Sequence, residues 1–287
     1  MIKTINNFKT ALLLGGLFAL LVWVGSFWGV NGMVLAAVFA TVMNLGAWFF
    51  SDKIAIASMR GREVDERSAP ELYGMVRRLA ERANLPMPRV YVCPQPVPNA
   101  FATGRSPRKA AVAVTEGALR MLNREELEGV MAHELAHVKN RDTLTSSIAA
   151  TVAGIFSMLA QTAFWFGVPR SNGEGGGGHP LAGLAIILLG AVGAAVIQAM
   201  ISRSREYVAD ADGAAIAGSP DGLISALRKL DAASRRMPLD NPNPAMNQMF
   251  IVEPFTGKAL TNLFATHPPT EERVAALLTL RTGRKVA

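Results

Sequence analysis

The sequence predicts a mainly α-helical integral membrane protein: four transmembrane helices and a polar α+β domain with a small antiparallel sheet. Three observations predict it. The 287-residue chain is half hydrophobic, and its apolar residues are gathered into long stretches without charge. Lys and Arg crowd one set of stretch ends. Two short β-type runs stand among helical periodicities in the remaining sequence.

No charge occurs between Lys9 and Asp52, between Asp142 and Arg170, or between Glu174 and Arg203. Each gap holds stretches of about 20 apolar residues, the length that crosses a hydrocarbon core as a helix. A core helix of a soluble protein would be shorter and keep a polar face. The first gap accommodates two spans, at 8–27 and 31–50, turning near Gly29-Val30-Asn31-Gly32. A signal peptide competes for the first span, because Lys3 and Lys9 precede an apolar run. That run is longer than a signal core and a second span follows at once, so it reads as a signal anchor. The third span lies near 146–168 and the fourth near 181–201, with a Gly-rich hairpin at 173–178 and an exposed His179 between them.

Lys3, Lys9, Lys53, Arg60, Arg62, Lys139, Arg141, Arg203 and Arg205 flank the spans on one side, and Arg170 alone on the other. The positive-inside rule then puts both termini, and the segments 51–143 and 203–287, in the cytoplasm. The chain divides into 1–50 (two spans), 51–143 (first polar part), 144–202 (two spans) and 203–287 (second polar part). The net charge of +7 needs no nucleic acid, since much of it sits where it meets anionic lipid. Cys93 is the single cysteine, which excludes an intramolecular disulfide and a cysteine zinc cluster and fits a reducing compartment.

In the first polar part, Leu72, Met75, Val76 and Leu79 recur at helical spacing, with Pro70 in the first turn and a stop at Asn84-Leu85-Pro86. The β-type runs are Arg89–Cys93 and Ala111–Thr115; Pro94, Pro96, Pro98 and Gly104 between them make the connection irregular. Asn123 and Glu126 form a capping box for a helix that continues through His137 towards the third span. The fourth span runs on as helix through 205–210. A Pro-, Asn- and Met-rich loop covers 237–249, and a last helix starts after Pro268-Pro269-Thr270.

His133-Glu134-Leu135-Ala136-His137 is the pattern H-E-x-x-H. Residues four apart share a helix face, so both imidazoles can reach one zinc ion. Glu134, next to the first His, leans towards the open coordination position, where a carboxylate serves as general base. A zinc protease needs a third protein ligand. Glu206, at the exit of the fourth span, is the candidate if the last two spans pair as a hairpin. Asp210 shares its helix face and can accept from a ligand imidazole's outer N–H. Spacing alone leaves open an ordinary juxtamembrane helix with solvated acids. Asn99-Ala100-Phe101-Ala102 reads either as an edge strand for an extended peptide, with Asn99 clamping its backbone, or as a turn after Pro98. His267 reads either as an oxyanion donor or as a helix-entry residue. Met237, Met246 and Met249 suit gap-filling more than a groove.

Three segments carry a family resemblance: His133–His137, the run Ser202-Arg203-Ser204-Arg205-Glu206-Tyr207-Val208-Ala209-Asp210-Ala211-Asp212-Gly213, and Thr266-His267-Pro268-Pro269-Thr270-Glu271-Glu272-Arg273. With the four-span layout they resemble the HtpX family, bacterial inner-membrane metalloproteases of the gluzincin type, related to the CAAX prenyl endoproteases. The resemblance covers essentially the whole chain. It implies a gluzincin-like zinc endopeptidase with Glu206 as third ligand, Asp210 behind the ligands and one Zn²⁺ per chain. It also implies quality-control cleavage of misfolded or damaged membrane proteins at the cytoplasmic face, alongside the ATP-dependent protease FtsH.

No G-x-x-x-x-G-K-[ST] pattern is present, so the chain is expected not to unfold substrates with ATP itself. The competing readings are a dedicated processing protease, including one for prenylated peptides, and a catalytically idle membrane scaffold, which the intact Glu134 disfavours. A transporter is disfavoured because the spans hold no interior charge.

Overall fold

The computed structural model describes residues 2–27, 29–148, 203–236 and 268–281. The third span beyond residue 148, the fourth span, the 173–178 hairpin, His179 and the 237–249 loop lie outside the described residues.

Helix α1 (Ile2–Ser26) and helix α2 (Gly29–Ser58) pack against each other as a hairpin. The turn falls earlier than the sequence suggests, because Gly29 adopts a left-handed φ of 75° and opens α2 directly. Gly25 serves the close approach of the two helices: a Cβ there would meet the Gly32 carbonyl oxygen at 2.7 Å. Farther along, the Asn44 side-chain N–H donates to the Leu14 carbonyl at 2.9 Å, a polar tie between the two helices. α2 is long and apolar enough to cross a membrane; in α1 the apolar run is Thr10–Trp23. Val30, Val34, Leu35, Val38 and Val42 on α2 are all exposed in the protein itself, as expected of a lipid-facing helix and not of a core helix. α2 continues past the expected end at residue 50, through Asp52 and Lys53 to Ser58.

The polar part is built on four strands: β1 (Arg62–Val64), β2 (Arg89–Cys93), β3 (Ala100–Thr103) and β4 (Ala111–Thr115). Their order is β1-β2-β4-β3. The sheet is mixed and not antiparallel as the sequence suggested. β2 and β4, the two runs visible in the sequence, pair in parallel, Arg89 opposite Ala111 through Cys93 opposite Thr115. The physical reason lies in the connection 94–110, long enough for the crossover that a parallel pair requires. It carries β3 around to the far side of β4, where β3 pairs antiparallel at the sheet edge.

Every residue of β4 is buried, because the sheet is covered on both faces. On one face Val90, Ala100, Val112 and Val114 pack with α3 (Pro70–Arg82) and α5 (Arg124–Asn140). On the other, Tyr91, Cys93, Phe101, Ala111 and Ala113 pack with Ala55 and Ile56 from the end of α2 and Met59 just beyond it. Arg89 of β2 is paired with Asp52 of α2 at 2.8 Å. α3 buries Leu72, Met75, Val76 and Leu79, the predicted periodic set, and stops where Asn84 turns left-handed (φ 54°). Between β4 and α5, Thr115 caps the short α4 (Glu116–Met121) and also bonds Asn99 and Val97.

α5 starts at the predicted capping box: Asn123 accepts from the Glu126 N–H at 2.9 Å and Glu126 accepts from the Asn123 N–H at 2.8 Å. It does not run straight on into the third span. Arg141 adopts the left-handed conformation (φ 58°) that ends helices, and a new helical segment occupies residues 143–148. After the undescribed stretch, α6 (Arg203–Ala217) and α7 (Asp221–Arg236) both pack on α5, and α8 (Thr270–Arg281) packs on both α6 and α7. The α5–α6 crossing is close. A Cβ on Gly213 would stand 2.9 Å from the Cα and N of His133.

Candidate metal centre

The centre forms where α5 crosses α6, with α8 closing it from behind. The one-turn spacing on α5 puts the His133 and His137 rings edge to face, their centroids 4.6 Å apart. Their Nε2 atoms stand 3.1 Å apart. Glu206, on the first turn of α6, brings Oε2 to 3.6 Å from His133 Nε2 and Oε1 to 3.7 Å from His137 Nε2. One ligand atom from each of the three residues lies within 4.8 Å of the other two.

Behind the rings stand two further carboxylates. His133 Nδ1 is 3.0 Å from Asp210 Oδ1, and His137 Nδ1 is 3.0 Å from Asp142 Oδ2. An imidazole that donates from Nδ1 keeps its lone pair on Nε2. With carboxylates beside both outer nitrogens, the two Nε2 atoms are free to face the Glu206 carboxylate, and the Arg273 guanidinium, with Nη2 3.4 Å from His133 Nε2, lies against the same cluster. These residues fit a metal ion, and their nitrogen and oxygen donors suit zinc.

The electrostatics agree. Burial works against charge on His137, yet Asp142, Glu206 and Glu134 outweigh it and lift its pKa to about 10. Burial likewise opposes charge on His133, and Asp210 and Glu206 again prevail, so its pKa is raised. The carboxylates that favour positive charge on these rings also favour a metal cation between them. Glu134 is buried beside the rings; burial raises its carboxyl above the ordinary value, and its carboxylate accepts from the backbone N–H of Ala102 on β3.

Arg273 of α8 closes the back of the site. Its Nε and Nη2 clamp Asp210 at 2.9 and 2.7 Å, and Nη1 reaches Glu206 Oε2 at 3.6 Å. Burial disfavours the charge on both partners, but each outweighs it for the other, so Asp210 is held below its ordinary value and Arg273 above. Arg273 is 1 % exposed, and an ion pair so buried must be mutually satisfied. Tyr207 donates to Glu272 at 2.9 Å, a second tie between α6 and α8.

The structure thus brings together His133, Glu134, His137, Glu206 and Asp210. Asn99 is buried, and its backbone is committed to Thr115 through bonds in both directions. Ala100 and Phe101 are buried on opposite faces of β3. His267 lies outside the described residues. Sequence reasoning gave no role to Asp142 or Arg273. Arg273 stood within a quoted motif, but its reach back to Asp210 depends on how α8 folds onto α6. Asp142 carried no spacing signal, because only the left-handed Arg141 turns it towards His137.

The model of peptidase family M48 matches residues 66–281 of the chain. A protease HtpX homologue of Syntrophobacter fumaroxidans is 50% identical over 277 residues, covering 95% of this chain and 98% of that protein. A homologue of the same name from Pelotomaculum thermopropionicum is 51% identical over 276 residues, with 95% and 98% coverage. Among solved structures, S. mikatae Ste24p is similar with a TM-score of 0.53 at 20% identity. The match takes in 96% of this chain and 64% of Ste24p, so this chain spans just under two thirds of that protein's length. That likeness concerns the fold, a mainly helical frame around a small mixed sheet. With at least one membrane-spanning helix and its His133–His137–Glu206 metal-binding group, the chain belongs to peptidase family M48 as a zinc metallopeptidase and an HtpX homologue.

Proposed function

We propose that this metallopeptidase is an endopeptidase that cuts misfolded or damaged membrane proteins at the cytoplasmic face of the bacterial inner membrane, in cooperation with FtsH. The observation that carries the reading is the placement of the buried Glu134 carboxylate between the His133–His137–Glu206 group and the edge strand β3. A peptide laid in extended form along that edge would pass beside the general base.

His133, His137 and Glu206 would hold one zinc ion, which would supply Lewis-acid activation of water and of the scissile carbonyl at neutral pH. Glu134 takes the proton from the attacking water, holds it on its carboxylate and passes it to the leaving amine. Asp210 and Asp142 fix the tautomers of the two imidazoles by accepting from Nδ1. Arg273 holds Asp210 in register. Ala100 and Phe101 supply the backbone of the substrate-pairing edge, and Asn99 fixes its start. His267 donates to the oxyanion of the tetrahedral intermediate.

The test is cleavage of an unfolded membrane substrate by purified protein in lipid. Glu134→Gln should abolish cleavage while one zinc per chain remains bound. Near-wild-type cleavage by that variant would overturn the assignment of the base. His267→Ala should keep zinc and lose on the order of 10²–10³ in turnover.

A further inference from the structure

The loop between β3 and β4 is basic, exposed and held against the membrane helix. It contains Arg105, Arg108 and Lys109, all exposed, and no acidic residue. One cation–ring contact ties the loop to α2, and a second, within α2, lies at the same level. The Arg105 guanidinium lies 5.0 Å from the centre of the Phe49 ring, and Lys53 Nζ lies 5.6 Å from the centre of the Phe50 ring. Phe49 and Phe50 are half exposed and stand at the end of the charge-free stretch of α2, the position of interfacial aromatics. Phe49 and Lys53 are four residues apart and share a helix face, so Arg105 and Lys53 flank the same boundary between apolar and polar surface.

The acidic neighbour does not cancel these cations, because Asp52 is already paired with Arg89 at 2.8 Å. The loop is also stiff. Gly104 sits at φ 124° and its carbonyl accepts from Thr143 at 2.8 Å. Pro107–Lys109 form a 3₁₀ turn closed by the Lys109 N–H on the Ser106 carbonyl at 2.8 Å. Three cations are therefore presented in fixed positions beside a lipid-facing helix.

We infer that the β3–β4 loop is a docking surface for anionic lipid headgroups, bound by Arg105, Arg108 and Lys109 together with Lys53. This goes beyond the proteolytic reading and does not depend on it. Its consequence for that reading is that β3, the strand leading into the loop, is tethered at the bilayer surface.

The full chain with Ser106→Cys tests it. Cys93 is buried and its thiol is pushed up to about 11 by burial, so a fluorophore goes to the introduced thiol. The labelled protein is placed in nanodiscs of phosphatidylcholine alone or with about one third phosphatidylglycerol, each carrying a nitroxide headgroup quencher. Each docked cation adds about fivefold to the docked population. Quenching should therefore be several-fold stronger with phosphatidylglycerol and lose most of that gain in Arg105→Gln/Arg108→Gln/Lys109→Gln, which keeps Lys53, with zinc content unchanged. In the unaltered loop it should also fall as salt is raised, and millimolar inorganic phosphate at constant ionic strength should leave it unchanged. Equal quenching in both lipids, a gain that survives high salt or the triple substitution largely intact, or competition by free phosphate would each overturn the assignment.

Discussion

Asp142 Oδ2 lies 3.0 Å from His137 Nδ1, and the two residues face each other because Arg141 between them is left-handed. A straight continuation of α5 would carry Asp142 to another face, since residues five apart are offset by well over a hundred degrees. The break in the helix is thus part of the metal centre.

Asp142→Ala should lower zinc affinity about 10–100-fold, the usual cost of losing a carboxylate behind a ligand imidazole. Asp142→Asn keeps an acceptor and should lose less. Competition with a chelating dye at limiting metal measures both. An unchanged affinity in the alanine variant would show that the ring needs no such support.

Removing Arg273 leaves Asp210 buried and uncompensated beside Glu206. Arg273→Gln should cost about 3–5 kcal/mol of stability, as for one broken partner of a buried pair. The double variant Arg273→Met/Asp210→Leu should recover much of that. Equilibrium unfolding in detergent checks the pair, and a double variant no better than the single one would contradict the coupling.

Gly213→Ala puts a methyl group where the His133 backbone already lies, 2.9 Å away. Two helix backbones then have to separate, and the site with them. Both the melting temperature and zinc affinity should fall, whereas Gly74→Ala, near only a flexible Arg78 tip at 3.6 Å, should leave zinc binding intact. A Gly213→Ala protein with wild-type zinc affinity would mean that the crossing can relax.

Glu126 is buried and accepts from Asn123, Ser225 and Lys229 at 2.8, 2.6 and 2.8 Å, joining α5 to α7. Burial pushes its carboxyl up, but Lys229, Ser225 and Asn123 together hold it below the ordinary value of 4.5. A depressed folded-state pKa gives stability that is complete above the unfolded value and lost as pH falls through the folded one. The wild type should therefore weaken from about pH 4.5 downward. Glu126→Gln should be about 2 kcal/mol less stable at neutral pH and lack this part of the acid dependence. Parallel pH profiles of the two proteins would refute the account.

The sequence made the first two ligands legible because H-E-x-x-H completes one helical turn, and local geometry suffices. Glu206 needed a fold-level step, the return of a distant helix to the same crossing, and the family resemblance supplied it. β2 and β4 were visible as Val-rich runs, but their parallel pairing was not, because register and direction are set by the connection 94–110. β3 was legible as one of two readings of Asn99-Ala100-Phe101-Ala102, the edge strand, whereas β1 (Arg-Glu-Val) is short and carries little strand signal by itself. The glycines at the helix crossings read as neutral in sequence, since what they avoid lies on another element.

The sheet borrows the end of α2 and the residue just beyond it for one of its two covers, through Ala55, Ile56 and Met59. A soluble fragment beginning at β1 would bare Tyr91, Cys93, Phe101, Ala111 and Ala113 to water, an apolar surface of the kind that drives aggregation. The same fragment would lose Asp52, the partner of Arg89. Anchor and catalytic body are therefore one folding unit, and a protease severed from its membrane helix would lose its shape before it lost its address.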